Sequence, residues 1–117
     1  MGFSNHKANH NQHTYTLLEM QLIESIKSSL QFELYNNASF LCERLLAQCD
    51  NEEIRLLLAE SYLGDGKAYK AYDVLKGCSG SQNRYKLALT CLKLNKLTEA
   101  EKVLLDQTNI RSLSMMD

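Results

Sequence analysis

The feature that most constrains this chain is an internal repeat, in which similar residues recur every 29 positions. This offset aligns the segments 42–46, 71–75 and 100–104, each of which reads small, polar, polar, aliphatic, leucine when Tyr72 counts as polar. It also aligns Asn37, Gly66 and Asn95, whose residue types tolerate a positive φ and therefore predict a turn. A period of roughly 20 to 50 residues that contains two helices is typical of an α-solenoid, in which each helical hairpin stacks on the next.

The segments between these turns have the composition of helices. Residues that favour strands are scarce, since valine occurs only at Val74 and Val103, whereas Leu, Ala, Glu, Lys and Gln are common. Apolar residues recur at intervals of four from Leu18 to Leu30, as expected for one face of a helix. The sequence therefore predicts an all-α fold of about three helical hairpins. Clusters of helix-stopping or capping residues predict breaks at 35–37, 49–51, 64–66, 77–81 and 94–96.

The predicted organisation is one domain with a polar segment at each end. Residues 1–14 are rich in Asn and His, and such a composition does not offset the entropy lost on ordering, so we expect a disordered tail there. The helical domain is predicted to cover 15–105, with its last helix ending at Leu105, and 106–117 to form a polar C-terminal tail. Within the domain, Asp50 is predicted to cap a helix that starts near Asn51.

Charge and hydropathy argue against two classes of partner. The net charge of -1 gives nucleic acid or an anionic membrane no electrostatic reason to attract the chain. The longest apolar run, 56–59, is far shorter than the ~20 residues that cross a bilayer. We therefore expect no nucleic-acid partner, no membrane partner and a soluble chain without a secretion signal.

The residues that carry metal and redox chemistry are not clustered in the sequence. All histidines precede residue 14, all cysteines follow residue 41, and no two cysteines form a CxxC pair. We expect reduced thiols, no metal site and no cofactor. The histidines are His6, His10 and His13, and the cysteines are Cys42, Cys49, Cys78 and Cys91.

No catalytic residue is predicted. An enzyme needs a nucleophile with a base, a pair of carboxylates in a cleft or a phosphate-binding loop, and the sequence contains no such motif. The segment Gly64–Lys67 has part of the composition of a phosphate loop but no strand before it, so we interpret it as a turn between helices. A small regulatory subunit of an enzyme remains an alternative of a different class.

The middle repeat resembles the tetratricopeptide repeat. Arg55 stands where that family usually has an aromatic residue, the chain contains no proline to close a repeat, and the period is 29 residues instead of about 34. The resemblance implies pairs of antiparallel helices. The matching residues are Leu58, Ala59, Tyr62, Gly66, Ala71 and Leu75.

A more specific resemblance extends over residues 36–105. The segments that carry it are 37–47, 66–77, 84–88 and 96–101, and the most specific of them contains Lys67-Ala68-Tyr69-Lys70-Ala71-Tyr72. They resemble the N-terminal region of the cell-division-cycle twenty-seven family, the tetratricopeptide scaffold subunits of the anaphase-promoting complex.

This resemblance implies a non-catalytic scaffold of a ubiquitin ligase that acts in mitosis, in the nucleus and cytoplasm. The partners it implies are a second copy of the chain and other subunits of the complex, because the N-terminal repeats of the family form a homodimer. The C-terminal repeats, with which the family captures the Ile-Arg tails of coactivators, have no counterpart in these 117 residues.

The helix around residues 38–49 is predicted to have two apolar faces. One contains Cys42, Leu46 and Cys49, and the other contains Leu41 and Leu45 with Phe40 beside them. The second face either packs on the preceding helix or forms a subunit interface, and the family resemblance favours the interface. The predicted interface residues are Leu34, Tyr35, Phe40, Leu41, Leu45 and Tyr69.

The alternative within the same fold is a monomeric adaptor that binds an extended peptide in its groove. Aromatic residues with a polar tip are favoured at interfaces, and four tyrosines are candidates to line such a groove. They are Tyr62, Tyr69, Tyr72 and Tyr85.

Overall fold

A computed structural model describes the backbone of residues 14–116 and the side chains of residues 14–106. The described part of the chain contains helices and no strands. The helices are α1 (Leu17–Gln31), α2 (Tyr35–Gln48), α3 (Glu52–Gly64), α4 (Ala68–Leu75), α5 (Ser81–Lys93) and α6 (Leu97–Met116).

The helices form three hairpins, α1 with α2, α3 with α4, and α5 with α6. Each helix packs on the next along the chain, and the first helices of successive hairpins, α1, α3 and α5, also contact one another. This two-layer stacking is that of a tetratricopeptide-like solenoid. The predicted all-α fold of about three repeats is confirmed.

The three hairpin turns share one backbone geometry. Each has a residue with positive φ just after the first helix, namely Glu33 (59°), Gly66 (76°) and Asn95 (60°). The next residue donates its backbone N–H to a carbonyl five positions earlier, which is the bond of a Schellman helix end. The pairs are Leu34 to Ser29, Lys67 to Tyr62 and Lys96 to Cys91, each at 2.8 Å.

Asn37 does not lie at the first turn, so that prediction is wrong. The turn residue is Glu33, and Asn37 lies in the first turn of α2, where its Nδ2 donates to Ser29 Oγ at 2.8 Å. The cause is helix length, because α2 has 14 residues and α4 has 8. The extra turns in α2 move the first hairpin turn four residues ahead of the position that the 29-residue offset gives.

Small buried residues bring the helices together. Counted from the turns, Ala38, Ala71 and Ala100 occupy the same position in α2, α4 and α6, and all three are buried. Ala59 and Ala88 are buried at equivalent positions of α3 and α5. Because these side chains end at Cβ, neighbouring helix axes can approach closely.

The starts of α1 and α3 are capped by side chains. Thr16 and Glu19 form a capping box, with bonds of 3.1 and 2.9 Å between each side chain and the other residue's backbone N–H. Asn51 caps α3, since its Oδ1 accepts from Ile54 N at 3.0 Å. Asp50 is therefore not the cap we predicted; its carboxylate instead pairs with Arg55 at 2.8 Å.

The last helix is longer than predicted. It continues past Leu105, our predicted end, to Met116. At the other end, the predicted polar segment 1–14 lies outside the described residues except for Thr14, as do His6, His10 and His13. Among the described residues, no helix is long and apolar enough to span a membrane.

Candidate functional site

Exposed apolar side chains concentrate on the first and third hairpins. A solenoid hairpin buries its apolar faces by stacking on neighbours, and the described residues place no neighbour over these side chains. The middle hairpin exposes one large apolar residue, Tyr69. The first exposes Leu17, Leu18, Met20, Phe32, Leu34 and Phe40, and the third exposes Tyr85, Leu89, Leu92, Leu97, Leu104 and Leu105.

Three of the predicted interface residues are on the surface. Leu34 and Phe40 are each 55% exposed and Tyr69 is 66% exposed. The guanidinium of Arg44 lies over the Phe40 ring, 5.5 Å from its centroid. Phe40 and Arg44 together form an outward-facing pair of the kind that is enriched in protein interfaces.

Two more predicted interface residues are half-buried within the chain. The ring of Tyr35 packs on Gly64 at the end of α3. The contact is so close that a Cβ added at Gly64 would lie 2.2 Å from Tyr35 Cε1. Tyr35 therefore joins the first hairpin to the second. Leu41 packs against the buried core.

Leu45 is not a surface residue, so its assignment to the interface is wrong. Its side chain is fully buried. Leu45 lies three residues after Cys42 and four before Cys49, and this spacing places all three on one helix face. That face belongs to the core between α2 and its neighbours α1 and α3, so α2 does not have the two separate apolar faces we predicted.

Two of the four tyrosines proposed for a groove instead link successive hairpins. Tyr62 on α3 donates its hydroxyl to Glu43 on α2. Tyr72 on α4 donates to Glu99 on α6 at 2.7 Å, and its ring lies under the ammonium of Lys96. The bond to Glu99, with a smaller effect of burial, raises the pKa of Tyr72 to about 12. Burial, followed by the bond to Glu43, raises the pKa of Tyr62.

Helix α5 carries an exposed apolar stripe that the sequence analysis did not single out. Tyr85, Leu89 and Leu92 recur at intervals of four and three residues, so they lie on one helix face, and all three are exposed. The spacing of these residues is present in the sequence. It does not identify an exposed stripe, because a buried helix face has the same spacing.

An open cleft of about 950 Å³ lies among the N-terminal ends of α1, α3 and α5. Its three carboxylates all have structural partners. Asp50 pairs with Arg55, whose hydrogen bond is the main cause that lowers the pKa of Asp50. Glu53 accepts from Tyr15 Oη at 2.7 Å, and Glu52 accepts from backbone N–H groups. The cleft is therefore built from helix caps and inter-helix links.

The four cysteine side chains of the described residues are buried, and none of them forms a disulfide. Burial raises the pKa of Cys42 to about 12 and raises those of Cys49, Cys78 and Cys91 as well. Such thiols carry little thiolate near neutral pH and react slowly. Within residues 14–106, no group of three or more His, Cys, Asp and Glu side chains is arranged to hold a metal ion.

Comparison with known families accounts for this arrangement of hairpins. The family model described as "Anaphase-promoting complex, cyclosome, subunit 3" matches residues 32–107, which include all of α2 to α5 and the first half of α6. The chain belongs to the subunit 3 family of the anaphase-promoting complex.

Curated relatives agree with this membership in the subunit 3 family. The chain is 44% identical over 87 residues to cell division cycle protein 27 homolog B of Arabidopsis thaliana, covering 74% of this chain and 12% of the relative. It is 44% identical over 91 residues to the human cell division cycle protein 27 homolog, covering 76% of this chain and 11% of the relative. The chain thus spans about an eighth or less of these relatives' length.

The match to the subunit 3 family begins at Phe32, directly after α1. The matched region therefore includes the exposed Leu34, Phe40 and Tyr69, and also the stripe on α5. The exposed residues of α1, Leu17, Leu18 and Met20, precede it.

Proposed function

We propose that this chain is a non-catalytic scaffold of the anaphase-promoting complex, a ubiquitin ligase, in the control of mitosis. The observation that carries the proposal is the match of residues 32–107 to subunit 3 of that complex. The relatives named cell division cycle protein 27 support a role in the cell cycle. Catalysis would then belong to other subunits, in agreement with carboxylates and thiols that are engaged in packing and caps.

The chain acts, in this proposal, by forming a homodimer and by contacting other subunits of the complex. The support is the group of exposed apolar residues on the first hairpin, particularly Leu34 and Phe40. Each exposed side chain of this size gains roughly 1.5 to 3 kcal/mol when it is fully buried. Tyr69, Tyr35 and Leu41 extend the proposed contact as residues of the interface or of its supporting layer.

The proposed cellular locations are the nucleus and the cytoplasm, where a mitotic ubiquitin ligase would meet its substrates. The net charge of -1 gives no attraction to nucleic acid or to an anionic membrane surface. The proposal accordingly includes neither as a partner.

The interface is tested with a pair of charge substitutions. We expect the variant Leu34→Glu with Phe40→Glu to be monomeric in light scattering while its helical circular dichroism is unchanged, because both side chains are exposed in the folded chain. Leu97→Glu is the matched control, since Leu97 is 62% exposed but lies on the third hairpin. A double variant that keeps the mass of a dimer would refute the proposed surface.

A second candidate function is a monomeric adaptor that holds an extended peptide. The stripe of Tyr85, Leu89 and Leu92 favours it, because three exposed apolar residues on one face of α5 offer a ready contact surface. In this case the wild-type chain is a monomer at every concentration. Leu89→Glu would then abolish capture of apolar sequences from a peptide library, whereas Leu34→Glu would leave it intact.

A further inference from the structure

One carboxylate joins the second hairpin to the loop that leads into the third. Glu52, the first residue of α3, reaches the loop between α4 and α5. Its Oε2 accepts from Ser79 N at 2.7 Å and its Oε1 accepts from Gly80 N at 2.6 Å. In return, Asn83 Nδ2 of α5 donates to the backbone carbonyl of Glu52 at 2.9 Å.

Helix α5 depends on this carboxylate because it has no cap of its own. Gly80 occupies the N-cap position and has no side chain to accept from the first N–H groups of the helix. A negative charge at a helix N-terminus also interacts favourably with the helix dipole, and bonds from N–H groups to a carboxylate are stronger than neutral ones. A residue of the second hairpin therefore accepts the N–H of the N-cap residue of α5 and places its negative charge at that helix N-terminus.

The remaining polar contacts at this edge join other parts of the fold. Asn51 donates to Tyr15 Oη at 3.0 Å and Glu53 accepts from Tyr15, so both bind the segment before α1. Arg55 donates to the Val74 carbonyl at 3.1 Å, within the second hairpin. Of the four residues 50–53, Glu52 is the one whose side chain binds the loop that leads into α5.

We propose that the Glu52 carboxylate is a latch that fixes the third hairpin against the second. When the latch is lost, the α4–α5 loop opens and α5 with α6 changes its angle to α3 as one unit, while each hairpin stays folded. This angle determines how the exposed stripe of Tyr85, Leu89 and Leu92 is presented beside α3. The latch does not depend on the proposed homodimer, since both partners lie in one chain.

The first test is Glu52→Gln in the full chain, which keeps the size of the side chain but removes its charge and one acceptor. Amide hydrogen exchange measured by nuclear magnetic resonance should accelerate at least tenfold at Ser79 and Gly80, and amides of α2 should keep their wild-type rates. Residual dipolar couplings should show that α5 and α6 no longer share the alignment of α3. Glu53→Gln is the matched control, because Glu53 is the adjacent residue and binds Tyr15.

A second variant changes Ser79, the residue that Glu52 binds. Ser79 Oγ lies 3.3 Å from Glu52 Oε2, so Ser79→Glu sets two like charges against each other. We expect it to reproduce the local acceleration seen in Glu52→Gln, whereas Ser79→Ala, which keeps the backbone N–H, should not. If both charge variants have the amide exchange rates and the helix alignment of the wild type, the latch proposal is wrong. Equal acceleration at all amides would overturn it too, because that result indicates a general loss of stability.

Discussion

Single residues in this fold divide sharply between core and surface, even where they are neighbours in one helix. Leu45 has no exposed surface, and Phe40, five residues earlier in α2, has more than half of its side chain in solvent. The first contributes to the stability of one chain. The second is free to contribute to contact with another.

Truncation of these two side chains should therefore change the free energy of unfolding by very different amounts. We expect Leu45→Ala to lower the free energy of unfolding by about 2 to 5 kcal/mol, because it leaves a cavity between α2 and its neighbours. Phe40→Ala should change the free energy of unfolding of the monomer by no more than about 0.5 kcal/mol, since the side chain is exposed. Urea unfolding followed by circular dichroism measures both in a chain made monomeric by Leu34→Glu, and equal losses would contradict the assigned burial.

The sequence could not distinguish these two residues. Both are large and apolar, and both fit a helical pattern, so periodicity placed them together and the family resemblance assigned both to the interface. The packing of α1 and α3 around α2 determines which of the two side chains is buried, and the sequence pattern does not contain this information. The same limit hid the exposed stripe on α5.

At the scale of elements, the hairpins are defined by three turns of one kind. Each turn needs a residue with positive φ, and glycine adopts this conformation at least cost. The chain uses Gly66 in the second hairpin, Asn95 in the third and Glu33 in the first. The greater length of α2 moves the first turn to Glu33, whose residue type gave no turn signal, whereas the 29-residue offset pointed to Asn37.

Replacement of the strained turn residue should stabilise the chain. Glu33→Gly is expected to raise the free energy of unfolding by up to about 1 kcal/mol, because a left-handed residue with a Cβ carries a penalty of roughly that size. Gly66→Ala should lower it by about 1 kcal/mol for the same reason. Gly77→Ala serves as the control, since Gly77 has no positive φ and open space at its Cβ position.

The link between Tyr72 of α4 and Glu99 of α6 predicts a pH dependence of stability. The pKa of the Tyr72 hydroxyl in the folded chain is about 12, above the ordinary tyrosine value of about 10. The link's contribution is complete below the unfolded pKa of about 10 and is lost as the pH rises towards 12.

Urea unfolding at several pH values isolates this contribution. The loss of stability between about pH 10 and pH 12 should be smaller in Tyr72→Phe than in wild type, because the variant lacks the titrating hydroxyl. Tyr15 and Tyr62 titrate in both proteins and cancel in the comparison. Identical pH profiles would show that the hydroxyl bond contributes nothing.

At the scale of the whole molecule, the sequence predicted most of the architecture. The repeat indicated the solenoid class, and four of the five predicted helix breaks overlap observed ones. The fold class and the helix breaks could be predicted because turns with positive φ and close helix contacts each require particular residue types. The true spacing of the first hairpin and the length of α6 depend on how whole helices pack, so they were not predicted.

The distribution of exposed apolar residues follows from the same architecture. The middle hairpin is covered on both sides, whereas the first and third hairpins each have one neighbour. Among the described residues, these two hairpins therefore have the most apolar side chain left to bury.

The solution mass of the wild-type chain is the most direct test of whether the chain dimerises. Light scattering over about a hundredfold range of concentration gives that mass, and association that depends on mass action shows as a change along the range. We expect a dimer of about twice 13.4 kDa that persists on dilution. A folded monomer at every concentration would contradict it.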